Sequence, residues 1–199
     1  MALELECSSV DQQSIIDAWL ANNGGATATD GCSGTNIVWT NDYTVGGENT
    51  DCGASGSVLV TFTATDDCGL FSISTALITI VDTTPPTIDT ASSDETVECD
   101  GAGNASELQA WLDSNGGAAA SDACSSVTWT NDHTNVSDDC GASGSTTVIF
   151  TATDDCGNQS TTEATFTIED NTVPEINAPA MALELECSSV DQQSIIDAW

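Results

Sequence analysis

Alternation of polar and apolar positions is strongest in four stretches of the chain. Residues 57–65 (SVLVTFTAT) and 72–81 (SISTALITIV) alternate with a period of two on either side of DDCG, the pattern of a β-hairpin. Residues 146–153 and 161–169 repeat the arrangement around DDCGN. A different period appears before each hairpin. Ile16, Trp19 and Leu20 fall at i, i+3 and i+4, as do Leu108, Trp111 and Leu112, and Asn-Gly-Gly follows both sets. That spacing predicts one short helix, stopped by glycine, ahead of each hairpin. Trp39 and Trp129 sit in shorter strand-like stretches, NIVWTNDYT and SVTWTNDHT.

These paired signals belong to a nested repeat. Residues 181–199 reproduce residues 1–19 letter for letter, a period of 180, so the chain reads as a slice of a longer repetitive protein. Inside that period, Cys52, Cys68 and Pro86 recur 88 positions on as Cys140, Cys156 and Pro174. A unit of roughly 90 residues is large enough to bury a core of its own, which points to an array of domains rather than a short-unit solenoid. The expected boundaries are residues 1–84 for a first module whose first strand begins in the preceding joint, 85–172 for a second, and 173–199 for the start of a third. A proline-bearing joint follows each hairpin (DTTPPTI from Asp82, DNTVPEI from Asp170) and stiffens the passage between modules.

Composition then narrows the chemistry. There are 32 acidic residues and no lysine or arginine, giving a formal charge of -32. Such a polyanion repels nucleic acid and anionic membrane surfaces, and favours divalent cations where carboxylates converge. Disorder is the first alternative for so charged a chain. The 39% of apolar residues, their regular alternation and the repeated cysteines oppose it. No apolar run is long enough to span a membrane. Nine cysteines reduce to eight per period because Cys187 repeats Cys7, which leaves four per module. An even count without any Cys-x-x-Cys reads as disulfides formed in an oxidising compartment rather than a zinc site. From the residues alone, three pairings per module remain open.

The motifs TATDDCG at Thr63 and TATDDCGN at Thr151, with the DTTPP joint, resemble the hyalin-repeat type of immunoglobulin-like module. With ASDAC at Ala120, the chain looks similar to the repeats of the giant SprB-like adhesins of gliding Bacteroidota. The resemblance implies an all-β fold of tandem immunoglobulin-like sandwiches, each with one short helix inserted after the first strand. In that topology Cys99 and Cys140 share one pole of a module and Cys124 and Cys156 the other. The pairing it implies is Cys7 with Cys52, Cys32 with Cys68, Cys99 with Cys140, and Cys124 with Cys156, while Cys187 pairs beyond the slice. The same topology brings Asp82 of the joint toward Asp122, Asp154 and Asp155, with Asp30, Asp66, Asp67 and Asp170 as their repeats, a set of hard oxygen ligands suited to calcium. The plain alternative is that these aspartates form turns and end strands.

Little else in the chain suggests chemistry. Asp66 and Asp67 lie in a turn repeated in each module, and no nucleophile elbow, phosphate loop or basic patch is present, so an enzyme is not expected. No organic cofactor is expected either. Asn104, Asn135 and Asn158 open N-glycosylation triplets, a short motif that recurs by chance. The resulting expectation is a structural repeat region of a secreted filamentous adhesin on the cell surface, attached at the outer membrane, serving attachment or gliding. Its partners are neighbouring modules and surface polysaccharide or substratum. The alternative is a multivalent carbohydrate-binding array in which Trp39, Tyr43 and Trp129 stack on sugar.

Overall fold

The computed structural model describes residues 1–184 apart from 33, 47, 48 and 138, together with Ser194 and Asp197. In chain order the elements are β1 (Leu3–Glu6), α1 (Gln12–Ala21), β2 (Val38–Asn41), β3 (Asn49–Thr50), β4 (Gly56–Thr65), β5 (Phe71–Val81), β6 (Thr87–Thr90), β7 (Glu95–Glu98), α2 (Ala105–Asp113), β8 (Ala119–Ser121), β9 (Val127–Asn131), β10 (Gly144–Asp154) and β11 (Gln159–Glu169). Strands dominate, in a sandwich-like arrangement with two short α-helices. Cys187 lies outside the described residues. No helix among those described is long and apolar enough to cross a membrane.

The strongest alternating stretches form the longest strands. β4 and β5 pair antiparallel from Gly56–Ile80 to Thr65–Phe71, and β10 and β11 pair from Gly144–Ile168 to Thr153–Gln159. Each hairpin is the centre of a sheet, ordered β1-β5-β4-β2 with β3 also on β4, and β7-β11-β10-β9. The outer strands β1 and β7 run parallel to β5 and β11.

One face of each sheet is dry. Val60, Phe62, Ile78 and Ile80 gather around Ile16 of α1, and Val148, Phe150, Ala164, Phe166 and Ile168 gather around Trp111 and Leu112 of α2. Each fully buried Phe or Val contributes roughly 1.5–3 kcal/mol relative to exposure. The helices dock through their tryptophans. Trp19 meets Phe62 edge-on with ring centroids 5.3 Å apart, and Trp111 meets Phe150 in the same way at 5.2 Å.

The expected first strand of the second half is in fact two. Residues 91–94 break it into β6 and β7, so that α2 follows the second of these strands. β6 pairs with β8 in a small separate sheet, whereas β7 joins the large one. The break is held by the chain it crosses. Ser93 N–H donates to Gly116 O at 2.9 Å, Trp111 Nε1–H donates to Ser93 O at 3.1 Å, and Thr165 N–H donates to Asp94 Oδ1 at 2.8 Å.

The helix stop explains its glycine. Gly116 has φ +63°, and a Cβ there would lie 3.0 Å from Ser92 Cβ and 3.1 Å from the Phe150 ring. Both the backbone region and the space require glycine. Gly116→Ala is therefore expected to cost about 1–3 kcal/mol and to lower the melting temperature by several degrees in thermal denaturation followed by circular dichroism.

Candidate functional site: the joint

The residues that carry chemistry converge where β5 gives way to β6. Glu6, the last residue of β1, lies beside the start of this connection because Glu6 pairs with Val81 in register. Its carboxylate accepts the Thr83 N–H at 2.8 Å, the Thr83 hydroxyl at 3.0 Å and the Thr84 hydroxyl at 2.9 Å. The backbone donor at Thr83, helped by the two hydroxyls, holds its pKa below the usual 4.5. Glu98 repeats the clamp on the exit from β11, with Asn171 N–H and the Thr172 hydroxyl both at 2.9 Å. Its pKa is likewise lowered, chiefly by the Asn171 N–H.

Two disulfides cross the joint. Cys7 bonds to Cys124 with Cα atoms 5.9 Å apart, and Cys52 bonds to Cys156 at 5.1 Å. This corrects the expected pairings Cys7–Cys52 and Cys124–Cys156. Cys32, Cys68, Cys99 and Cys140 are free thiols, so Cys32–Cys68 and Cys99–Cys140 are not formed either. The physical reason is the contact of two poles. Cys7 and Cys52 lie at the end where β5 leaves the first sheet, and Cys124 and Cys156 lie in turns of the second half that press against that end. Each cysteine therefore meets a partner across the joint. Gly53 permits the closeness. At φ +55°, a Cβ on it would lie 2.5 Å from Ser125 Cβ and 2.7 Å from Cys124 O, and the next residue, Ala54, donates its N–H to that same carbonyl at 2.8 Å.

Beside the bridges sits an acidic group. Asp82, Asp122 and Asp154 each place a carboxylate oxygen within 4.8 Å of the other two. Asp122 and Asp154 also form turns. Asp122 Oδ1 accepts Cys124 N–H at 2.8 Å, and Asp154 Oδ1 accepts Asn158 N–H at 2.8 Å. Asn158 reaches further, donating from Nδ2 to Asp154 Oδ2 at 2.8 Å and to Asp82 O across the joint at 3.1 Å. Asp82 is only 8% exposed, and while its Oδ1 accepts Thr84 N–H, its Oδ2 is buried without a hydrogen-bond partner. Burial, reinforced by the charges of Asp122, Asp154 and Glu6, pushes its pKa above the ordinary 3.8. Asp154 is also desolvated, but the side-chain and backbone N–H groups of Asn158 outweigh that and hold its pKa down. Cys7 and Cys124 lie within the same distance of Asp82, but as a disulfide they supply no thiolate.

The other candidate residues stand elsewhere. Asp155 binds the Ser126 hydroxyl at 2.8 Å, and Asp67 binds Asn36 Nδ2 at 2.6 Å. Asp30 and Asp66 each accept the N–H two residues on, at Cys32 and Cys68, and Asp170 accepts Thr172 N–H. Trp39, Tyr43 and Trp129 are half-buried against the two cores. Three contributors escaped sequence reasoning: Glu6, Gly53 and Asn158. The signals for the first two were the recurrence of Glu-Cys at residues 6 and 98 and of DCGASG at residues 51 and 139. Asn158 had no such signal, since its counterpart in the first half is Leu70.

No family model matches the chain, and no curated protein does. Among solved structures it is similar to Drosophila N-cadherin EC1-4, with 12% identity over 68% of this chain and 41% of that one and a TM-score of 0.31. It is also similar to mouse clustered PcdhgC3 EC1-3, at 12% identity over 59% of this chain and 44% of that one, TM-score 0.25. The tandem Ig repeats of Dlar match at 12% identity over 68% and 82%, TM-score 0.23. The chain spans less than half the length of the cadherin and protocadherin structures.

The raised pKa of Asp82 has a definite sign in stability. Its contribution is fully present below 3.8, where the group is protonated in both folded and unfolded chains, and is lost as pH rises through the folded value. In EDTA, the Asp82→Asn protein should therefore gain melting temperature relative to wild type as pH rises from about 3.8 toward 7. Asp154 follows the opposite sign but is common to both proteins, so it cancels in this comparison.

Proposed function

We propose that this chain is a load-bearing stretch of tandem immunoglobulin-like modules of hyalin-repeat type, belonging to an extracellular, surface-attached adhesion filament and carrying no enzymatic activity. The observation that carries this reading is the pair of bridges across the joint, Cys7–Cys124 and Cys52–Cys156. A proline joint alone resists bending but transmits tension only through one backbone. Two disulfides give the load a path that leaves the first module at Cys7 and enters the second at Cys124, bypassing 117 residues of separation. The half-buried tryptophans support core packing rather than sugar stacking, and so favour the structural reading over the carbohydrate-binding array.

Calcium fits the joint as a second fastening. Two ionised carboxylates at about 5 Å repel by about 3 kcal/mol at an effective dielectric of ~20, and no lysine or arginine exists to offset it. A hard divalent ion held by Asp82, Asp122 and Asp154 would relieve that repulsion and provide a partner for the buried Asp82 oxygen. The negative charge of the joint then becomes an attraction.

Two measurements test these readings. Stretched from its ends by optical tweezers, the fully unfolded oxidised chain should be shorter than the reduced one by about 400 Å, the length of 117 residues at ~3.5 Å each. Equal lengths would remove the load-bearing argument. For the cation, millimolar calcium added to EDTA-treated protein should raise the melting temperature of wild type and leave that of Asp82→Asn unchanged. An unchanged wild-type value would count against calcium while leaving the bridges intact.

A further inference from the structure

The outer faces of the two large sheets differ in kind. Side chains of β4 and β5 that point away from the core alternate with those that build it, so Leu59 stands opposite Leu77, Thr61 opposite Thr75, Thr63 opposite Ile73 and Thr65 opposite Phe71. β2 adds Thr40 beside Thr63 and Val38 beside Thr65. Phe71 is 69% exposed, Val38 64%, Ile73 63%, Leu59 60% and Leu77 39%. The second sheet repeats the central strands in the same register, and at each of those five positions it carries a polar residue. Gln159 stands for Phe71, Thr128 for Val38, Thr161 for Ile73, Thr147 for Leu59 and Thr165 for Leu77. Two halves built alike thus show water an apolar face in one case and a polar face in the other.

The neighbours along the chain leave this apolar face bare. The second half follows the first in the structure, yet Leu59 and Leu77, on the end of the sheet nearer the joint, stay exposed. The second half in turn shows what a preceding half covers. With β6 and β7 laid in and the joint closed, Gln159, Thr161, Thr147 and Thr128 are still exposed. A preceding half engages instead the turn residue Asn158, which donates to Asp82 O, so its counterpart Leu70 belongs to that contact and not to the outer face. The apolar face therefore lies along the flank of the molecule, open to a partner that arrives from the side.

Charge and area decide the partner. β4 and β5 carry no acidic residue along their length, so the face is a neutral island on a chain of net charge -32. A basic partner finds its match among the carboxylates elsewhere on the surface. What the island fits is a surface that is apolar at its centre and acidic around it, which a second copy supplies. The five side chains expose on the order of 500 Å² of apolar surface, in the upper part of the range that a monomer's largest patch spans. Two such faces in contact remove about 1,000 Å² from water, the lower bound for a specific interface. We propose that two copies of this chain associate side by side through the outer faces of their first sheets, packed about 10 Å apart as one sheet on another. The contact is isologous: Val38, Leu59, Phe71, Ile73 and Leu77 of each copy face the same set on the other. Carboxylates stand at its rim. Glu4 shares the face from β1, one row beyond Leu77, and Asp42 accepts the Thr61 N–H at 2.7 Å from the end of β2. Facing rims repel, so the pairing strengthens with salt, which screens the carboxylates and leaves the apolar contact.

The test uses the full chain in EDTA, its free thiols alkylated with iodoacetamide so that no new disulfide can link copies while the two bridges stay intact. Sedimentation over a concentration series should show a monomer–dimer equilibrium whose dissociation constant falls several-fold as NaCl rises from about 0.05 to about 0.5 M. Leu59→Thr combined with Ile73→Thr gives the first sheet the residues that the second already carries, so the fold should be unchanged by circular dichroism while dimerisation weakens by about tenfold or more. The matching pair on the second sheet, Thr147→Ser with Thr161→Ser, should leave dimerisation unchanged. A chain that is monomeric at every concentration and salt would overturn the proposal, as would a dimer indifferent to the first-sheet pair. A monomer held by an octyl matrix only while Leu59 and Ile73 are present would assign the face to a foreign apolar surface, and would equally overturn the pairing. The pairing rests on the sheet face alone, so its failure leaves the two bridges and their tension test untouched.

Discussion

A chain with no positive side chain of its own must satisfy every carboxylate with a neutral donor, a solvent ion or a proton, and this constraint shapes the whole molecule. Glu6 and Glu98 are occupied by threonine hydroxyls and backbone N–H groups. Asp42 and Asp132 accept the N–H of Thr61 and Ile149 at the edges of the central hairpins, and Asp94 accepts that of Thr165. Carboxylates thus do locally what turns and strand ends need done. Among the described residues they crowd together only at the joint, and there Asp82 retains a buried oxygen with no partner.

The same constraint bears on how one half holds the other. Two strongly acidic bodies repel, and screening reduces but does not remove that repulsion at contact. Hydrogen bonds such as Ala54 to Cys124 and Asn158 to Asp82 set the register, yet each is worth only about 1 kcal/mol net. Covalent bridges are indifferent to charge. A close joint such as this one, with glycine at Gly53 admitting the neighbouring backbone, is therefore compatible with extreme acidity in a way that a wholly non-covalent one is not.

Much of this was legible in the chain. Period-two alternation located both hairpins to within a residue or two, and the 3.6-residue spacing of Ile16, Trp19 and Leu20 located the helix, because core burial forces those patterns. The topology implied by the resemblance brought Asp82 toward Asp122, Asp154 and Asp155, and the structure gathers the first three while Asp155 turns to Ser126. The cysteine pairing was not legible. In a repeat, Cys7 and Cys99 occupy equivalent environments, so sequence cannot distinguish a partner in the same module from the equivalent position in the next. The break at residues 91–94 was hidden for a related reason, since its polar residues bond to groups far along the chain, at Gly116 and Thr165.

A joint pinned by one bond can swivel about it in any direction, whereas one pinned at two separate points can turn only about the line that joins them. With Cys7–Cys124 and Cys52–Cys156 both in place, a turn imposed on one half about any other axis must appear in the other. Such a body behaves as a shaft rather than a rope: it conveys torque as well as pull.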